Sequence, residues 1–375
     1  MTSPPLIAYN IRMKLLIFLF TVYFFFVSIC FAAKSPAYSP SPIIAKWYDN
    51  HTGAISLTYD DGAPYSELNR TANKFVLENG LSLDYEIVTY DYLRNPDIKK
   101  YLLHRVIPSG LGYFGHGHQH QNHDQLSYEE ALKSFKRCYE ALKELGLKPV
   151  AYAYPNGAGH KPETQKALAD SGFLAGRLHY SEKMTAPYLL ADKEKEPANW
   201  FALPTLVMQD FSFSKCKRCV GNDEQLIPYL DETLKKTAWI ILTYHAIGDE
   251  NGYGFFKYSE FQKNVASIKA RDFWCASMNT ITLYIRERLN ATVRMTPLFQ
   301  GKKCREISII VSDSLPNDIY SQPLTIVFTI PPDWIGKTIS LIENGKEPRS
   351  FLFQSREAKV SIAPDETEKK FILSE

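Results

Sequence analysis

Between residue 53 and about residue 290, short apolar runs with a β period alternate with longer stretches whose apolar positions recur every three to four residues. GAISLTY (53–59) precedes a helical stretch through Glu78, and LDYEIVT (83–89) follows. LGYFG (111–115) leads into SYEEALKSFKRCYEALKELG (127–146), which fits a 3.6-residue repeat. PVAYAY (149–154), a helix at 162–171, FLAGR (173–177) and FALPTLVM (201–208) continue the alternation. A helix at 224–236, TAWIILTY (237–244), SEFQKNVASIKA (259–270), DFWCAS (272–277) and TITLYIRERL (280–289) close it. Repeated strand–helix units predict parallel strands covered by helices, as an open sheet or a barrel.

From about residue 296 the pattern becomes one of short alternating strands: EISIIVS, LTIVFTI, TISLIEN, RSFLFQ, AKVSIA and KKFILS. The Asn344-Gly345 pair is a hairpin signal. A small antiparallel β-sandwich is expected at 296–375.

The start of the chain differs from both regions. Arg12 and Lys14 precede LLIFLFTVYFFFVSICFAA (15–33), and the Ser/Pro-rich KSPAYSPSP (34–42) follows. This describes a signal peptide over 1–33, with an uncleaved membrane anchor as the alternative, and a linker over 34–52. Export is the expectation, with membrane contact through this segment alone. Beyond it stand Cys138, Cys216, Cys219, Cys275 and Cys304. An odd count argues against complete internal pairing, and the close Cys216/Cys219 pair is read as a local disulfide.

Composition narrows the function classes. Of 375 residues, 45% are hydrophobic and 22% charged, enough for one large domain and a small one. Net charge is +2 with no basic stripe, which excludes nucleic acid as a partner.

Three strand ends carry candidate chemistry. LTYDDGAP places Asp60 and Asp61 where a strand meets a turn, at the end of the strand where α/β folds gather their active residues. FGHGHQHQNHD (114–124) holds His116, His118, His120 and His123 after another short strand. One carboxylate and two imidazoles leave coordination positions open, as catalytic metal sites require. His245 directly follows the apolar strand IILTY, and Tyr154-Pro155-Asn156-Gly157 closes the strand AYAY.

Taken in order, Thr58-Tyr59-Asp60-Asp61-Gly62, His116…His120, the Tyr-Pro-Asn-Gly loop and Leu242-Thr243-Tyr244-His245 resemble the polysaccharide deacetylase family, carbohydrate esterase family four. The resemblance spans 53–290 and implies a distorted (β/α) barrel of parallel strands over 53–295. It also implies a metal-dependent hydrolase that removes acetyl groups, foremost N-acetyl, from an envelope or extracellular polysaccharide, with metal-activated water as nucleophile. Asp61, His116 and His120 then bind a divalent metal, zinc first, with cobalt, nickel or manganese as alternatives. Asp60 is the general base and His245 the general acid. Tyr154, Pro155 and Asn156 wall the groove, and Leu242 belongs to the acetyl pocket.

The chain departs from that pattern in places. Gly117 stands where the family has Ser or Thr. Ala153 stands where an arginine usually orients the catalytic aspartate, so Asp60 is left without that partner. Glu196-Pro-Ala-Asn199-Trp200 only faintly echoes the family's tryptophan motif. The missing arginine motivates a rival reading, a non-catalytic glycan- or metal-binding protein. A glycosidase fits poorly, because adjacent aspartates seldom reach the separation of about 5 Å or more that its two carboxylates need. A histidine-rich metal store would need several ions and would not depend on Asp61.

Overall fold

The computed structural model describes residues 38–60, 67–180, 184, 186–190, 199–210, 216 and 218–373. Seven parallel strands form a closed barrel: β2 (Gly53–Tyr59), β3 (Asp84–Ile87), β4 (Gly112–Gly115), β5 (Ala151–Ala153), β6 (Ala175–His179), β8 (Leu203–Val207) and β9 (Trp239–Tyr244). Closure comes from six aligned residue pairs between β2 and β9, from Ala54 opposite Trp239 to Tyr59 opposite Tyr244. Two further strands lie on this sheet. β10 (Phe273–Cys275) runs parallel to β2, and β7 (Tyr188–Leu189) runs antiparallel to β9.

Every residue of β2 is buried, so its alternation sorts two cores rather than core from solvent. Ile55, Leu57 and Tyr59 pack with Phe135, Leu142, Leu230 and Phe261 of the surrounding helices. Ala54, Ser56 and Thr58 point into the barrel, where the Thr58 and Thr243 hydroxyls lie 3.0 Å apart and the Trp239 indole donates to Ser56 Oγ at 3.2 Å. The same parity holds on β9. Ile240, Leu242 and Tyr244 join the helix layer, whereas Trp239, Ile241 and Thr243 face inward.

The helix Tyr128–Glu144 begins where Ser127 accepts from the Glu130 amide and the Glu130 carboxylate accepts from the Ser127 amide. This capping box is worth about 1 kcal/mol and stops the histidine-rich loop at a defined residue.

The C-terminal strands form two antiparallel sheets. One orders β1 (Ile43–Ile44), β13 (Leu324–Thr329) and β16 (Glu357–Ile362). The other orders β11 (Thr292–Gln300), β12 (Lys303–Ser312), β17 (Lys369–Leu373), β14 (Thr338–Glu343) and β15 (Arg349–Leu352). The turn between β14 and β15 carries the Asn344-Gly345 pair, with Gly345 at φ 73°. Two boundaries differ from expectation. β11 starts at Thr292, and Ile43–Ile44, expected inside a linker, is a strand of the sandwich paired with β13. Trp47 is fully buried, its indole donating to the Thr237 carbonyl at 3.1 Å. A local apolar pattern does not reveal this, because two residues are too few to show a period.

The sandwich and the closed end of the barrel share one apolar core. Ile307, Ile309, Phe328 and Phe371 of the sheets continue into Trp47, Trp239, Ile281 and Tyr284. The expected signal or anchor segment, 1–33, lies outside the described residues. Among those described, no helix is long and apolar enough to cross a membrane. Cys216 and Cys219 form a disulfide, and Cys138, Cys275 and Cys304 are free.

Glu287, on the helix Met278–Asn290 at this junction, is fully buried and accepts from the Gln322 amide at 2.9 Å. Burial pushes its carboxyl up to about 8, against partial relief from that amide. A raised folded value means the proton is held more tightly in the fold. Glu287's contribution to stability is therefore fully present below its unfolded value, about 4.5, and is lost as pH rises through about 8. Thermal midpoints of Glu287→Gln, relative to the native chain, are expected to rise between pH 5 and pH 9 by about 2 °C or more. A constant difference across that range would contradict the buried-acid assignment.

Candidate functional site

Seven parallel strands end on one side of the barrel, and their inward-facing residues there are mostly ionisable. Asp60 follows β2, Glu86 lies in β3, His116 follows β4, Arg177 and His179 lie in β6, and His245 follows β9. Each shares the inward parity of its strand, two or four residues beyond a buried inward side chain such as Thr58, Asp84, Phe114, Ala175 or Thr243. Asp60, His116, Tyr154, Asn156, Gly157, His179, His245 and Tyr253 line a cavity of about 340 Å³.

Asp60 is 3% exposed and its amide donates to the Tyr244 carbonyl at 2.8 Å, which extends the β2–β9 seam by one residue. Its carboxylate receives the Arg177 guanidinium, itself 1% exposed. The guanidinium also lies over the Phe114 ring, 4.9 Å from its centre. Burial pushes the Asp60 carboxyl up, but Arg177, with His116, His245 and His179, outweighs it and holds the group below the ordinary carboxylate value. Asp60 is therefore an anion with a fixed direction.

This answers the absence of an arginine at Ala153. The guanidinium comes from the next strand, β6, and reaches the same carboxylate. Sequence reading passed over Arg177 by looking in the family's position; the signal available was a lone cation in the apolar run FLAGRLHY.

Two imidazoles converge beside Asp60. His116 Nδ1 lies 3.0 Å from the Ala153 carbonyl, which can only accept, so that nitrogen carries the hydrogen. In the neutral ring Nε2 then presents its lone pair to the interior. His120 Nε2 stands 3.1 Å from it. The Glu86 carboxylate lies 3.3 Å from the same His116 nitrogen, and ligand atoms of Glu86, His116 and His120 all fall within 4.8 Å of one another. Glu86 was not foreseen; an acid in the buried strand LDYEIVT was the available clue.

The loop that holds the pair uses uncommon backbone conformations. Gly117 has φ 89°, and a Cβ there would stand 3.2 Å from the His120 amide nitrogen. That accounts for glycine where the family has Ser or Thr. His120 is itself at φ 52°, and its carbonyl accepts from the Asn156 side chain at 3.0 Å. Asn156, expected as groove wall, thus lines the cavity and tethers the histidine loop. Pro155 is buried beside it. Tyr154 touches the cavity while its ring packs on Phe135 and Tyr152, and its hydroxyl donates to the Phe201 carbonyl at 3.0 Å.

The other two loop histidines point elsewhere. His118 is 2.8 Å from the Thr89 hydroxyl. His123 is fully buried, stacks on Phe135 at 4.2 Å and meets Ser134 Oγ at 3.0 Å. Burial, then the charge of His116, pushes its imidazole down to about 4, so it is a neutral core residue at neutral pH.

Across the cavity, Asp60, His179 and His245 offer ligand or proton-bearing atoms within 4.8 Å of one another. Burial and Arg177 push the His179 imidazole down to about 4. His245 is 3% exposed, with the exposed Tyr253 ring edge-on at 5.2 Å. Gly254, at φ 64°, lets that loop come close, since a Cβ there would stand 2.9 Å from the imidazole. Leu242 does not join this group. It is fully buried in the helix layer, on the opposite face of β9 from His245, and the inward residue beside His245 is Thr243. Asp61, expected as a metal ligand, and Glu196 lie outside the described residues.

Among solved structures, the chain is similar to a Mycobacterium smegmatis protein assigned as a polysaccharide deacetylase (20% identity, 66% of this chain and 94% of that one, TM-score 0.48). It is also similar to a family 4 carbohydrate esterase from Streptomyces lividans in complex with acetate (11%, 62% and 94%, 0.39). A third is a variant of the peptidoglycan deacetylase PdaC from Bacillus subtilis (10%, 64% and 92%, 0.38). No curated protein matches the chain. Residues 48–176 match the polysaccharide deacetylase family, a span that holds Asp60, Glu86, His116 and His120 and stops one residue before Arg177. That segment, which contributes the first four barrel strands, is similar to the polysaccharide deacetylase family.

Proposed function

We propose that the chain is an exported, metal-dependent hydrolase that removes N-acetyl groups from an envelope or extracellular polysaccharide. The observation that carries this reading is the cavity itself. A carboxylate locked by a buried arginine shares it with His116, whose Nε2 meets that of His120, and with His245.

The donors fit a divalent cation. Two Nε2 atoms 3.1 Å apart approximate the edge of about 3.3 Å expected for tetrahedral ligands at 2.0–2.1 Å. The Ala153 carbonyl fixes the His116 tautomer in the way metal-bound histidines are usually supported. His116 and His120 are the imidazole ligands, and Asp61 is the carboxylate that the family pattern supplies. When bound, a zinc ion, or cobalt, nickel or manganese, lowers the pKa of water and polarises the acetyl carbonyl.

The remaining work belongs to the protein. Asp60, anionic and held by Arg177, takes the proton of the attacking water. His245 gives a proton to the departing amine nitrogen, so the products are an amino sugar and acetate. Each transfer is worth roughly 100- to 10,000-fold in rate. Tyr154, Pro155 and Asn156 wall the groove, and Asn156 also holds the His120 backbone in place. Leu242 has no part in binding acetyl, because it faces the helices. The N-terminal apolar segment and the Cys216–Cys219 disulfide both support export to an oxidising compartment. With Arg177 on Asp60, the non-catalytic alternative loses the feature that motivated it.

The purified protein is expected to release acetate from an N-acetylglucosamine polymer, and a chelator should stop it. Asp60→Asn should abolish turnover while the ion stays bound; full activity in that variant would remove Asp60 from the base role. Arg177→Met should lower turnover at least about 100-fold without loss of bound ion, and should cost about 3–5 kcal/mol of stability by stranding a buried carboxylate. Assays well below its melting temperature separate the two effects, and native turnover there would refute Arg177 as the orienter.

A further inference from the structure

We propose that Glu86 is itself a ligand of the cation, adding a carboxylate from inside β3 to the one assigned to Asp61. This rests on the metal reading above and deepens it.

The family pattern draws the carboxylate from the end of the first barrel strand. Here a second acid occupies an inward position in the neighbouring strand, 8% exposed. Its Oε2 stands 3.3 Å from His116 Nε2, and the two histidine Nε2 atoms are 3.1 Å apart. Both separations match the edge of about 3.3 Å between ligands of a four-coordinate ion. His120 completes the triangle, with all three ligand atoms within 4.8 Å.

Alternation explains why Glu86 stands there. Tyr85 and Ile87 pack into the helix layer, so Glu86 must face the barrel interior. It sits in register beside Phe114 of β4, two residues before His116. A carboxylate placed in a nearly closed interior needs a cation to offset its desolvation. An ion between the two imidazoles would lie against the Glu86 oxygen that already stands 3.3 Å from His116 Nε2. Glu86, His116 and His120 would hold the ion beside the cavity, where it would supply the Lewis acidity described above. An added hard oxygen ligand also shifts preference toward manganese relative to a softer donor set.

The test titrates the full chain, stripped of metal, with Co²⁺ and follows the visible absorption band, comparing the native protein with Glu86→Gln. The expected result is a Kd for Co²⁺ at least about 10- to 100-fold weaker in the variant, with a changed band. Glu86→Asp keeps the ligand class, and is expected to bind with intermediate affinity and a shifted band. It decides the matter if the glutamine variant does not fold. Native affinity and an unchanged band in Glu86→Gln, or in Glu86→Asp should it alone fold, would overturn the assignment while leaving the metal site intact. A native chain that takes up no Co²⁺ would instead sink the metal reading under the proposed function, and this inference with it.

Discussion

A buried guanidinium on a buried carboxylate sets the conditions for everything else at the open end of the barrel. Arg177 and Asp60 come from strands far apart in the chain, and both are almost wholly removed from water. Such a pair is expensive to desolvate and is tolerable only when its hydrogen bonds are well made. Here the seam from β2 to β9 fixes the Asp60 backbone, and the Phe114 ring underlies the guanidinium. The outcome is an anion whose direction is decided before any substrate arrives. The surrounding imidazoles add to its stabilisation, and their own placement follows the same inward parity.

The barrel strands were readable because each combines a short apolar run with a turn signal. GAISLTY became β2 without a residue's difference, and the helix after the histidine loop began where its capping box stands. The order of Asp60, His116, His120 and His245 along the chain was enough to anticipate their meeting. What escaped was chemistry carried by single residues inside apolar strands. Glu86 and Arg177 have no motif around them, and their meaning appears only when parity turns them toward the same interior. Leu242 failed for the same reason in reverse: three residues from His245 is the wrong face of a strand, and two residues is the right one.

Loop geometry supplies the second kind of information that linear reading lacks. Four clustered histidines look equivalent on paper, yet two consecutive bends, at Gly117 and His120, divide them into two that meet and two that do not. His123 ends as a packing residue, neutral and stacked. Asn156 acquires a tethering task through one backbone carbonyl on a loop more than thirty residues away.

The strand Ile43–Ile44 gives the molecule a polarity. It joins the C-terminal sheet, and Trp47 anchors just beyond it at Thr237, two residues before β9 sets out toward His245. The chain therefore enters the fold at the base of the barrel, about 20 Å of strand below the cavity. The cavity then opens at the end of the barrel away from that entry, so whatever approaches it does so from the side opposite the N-terminal strand.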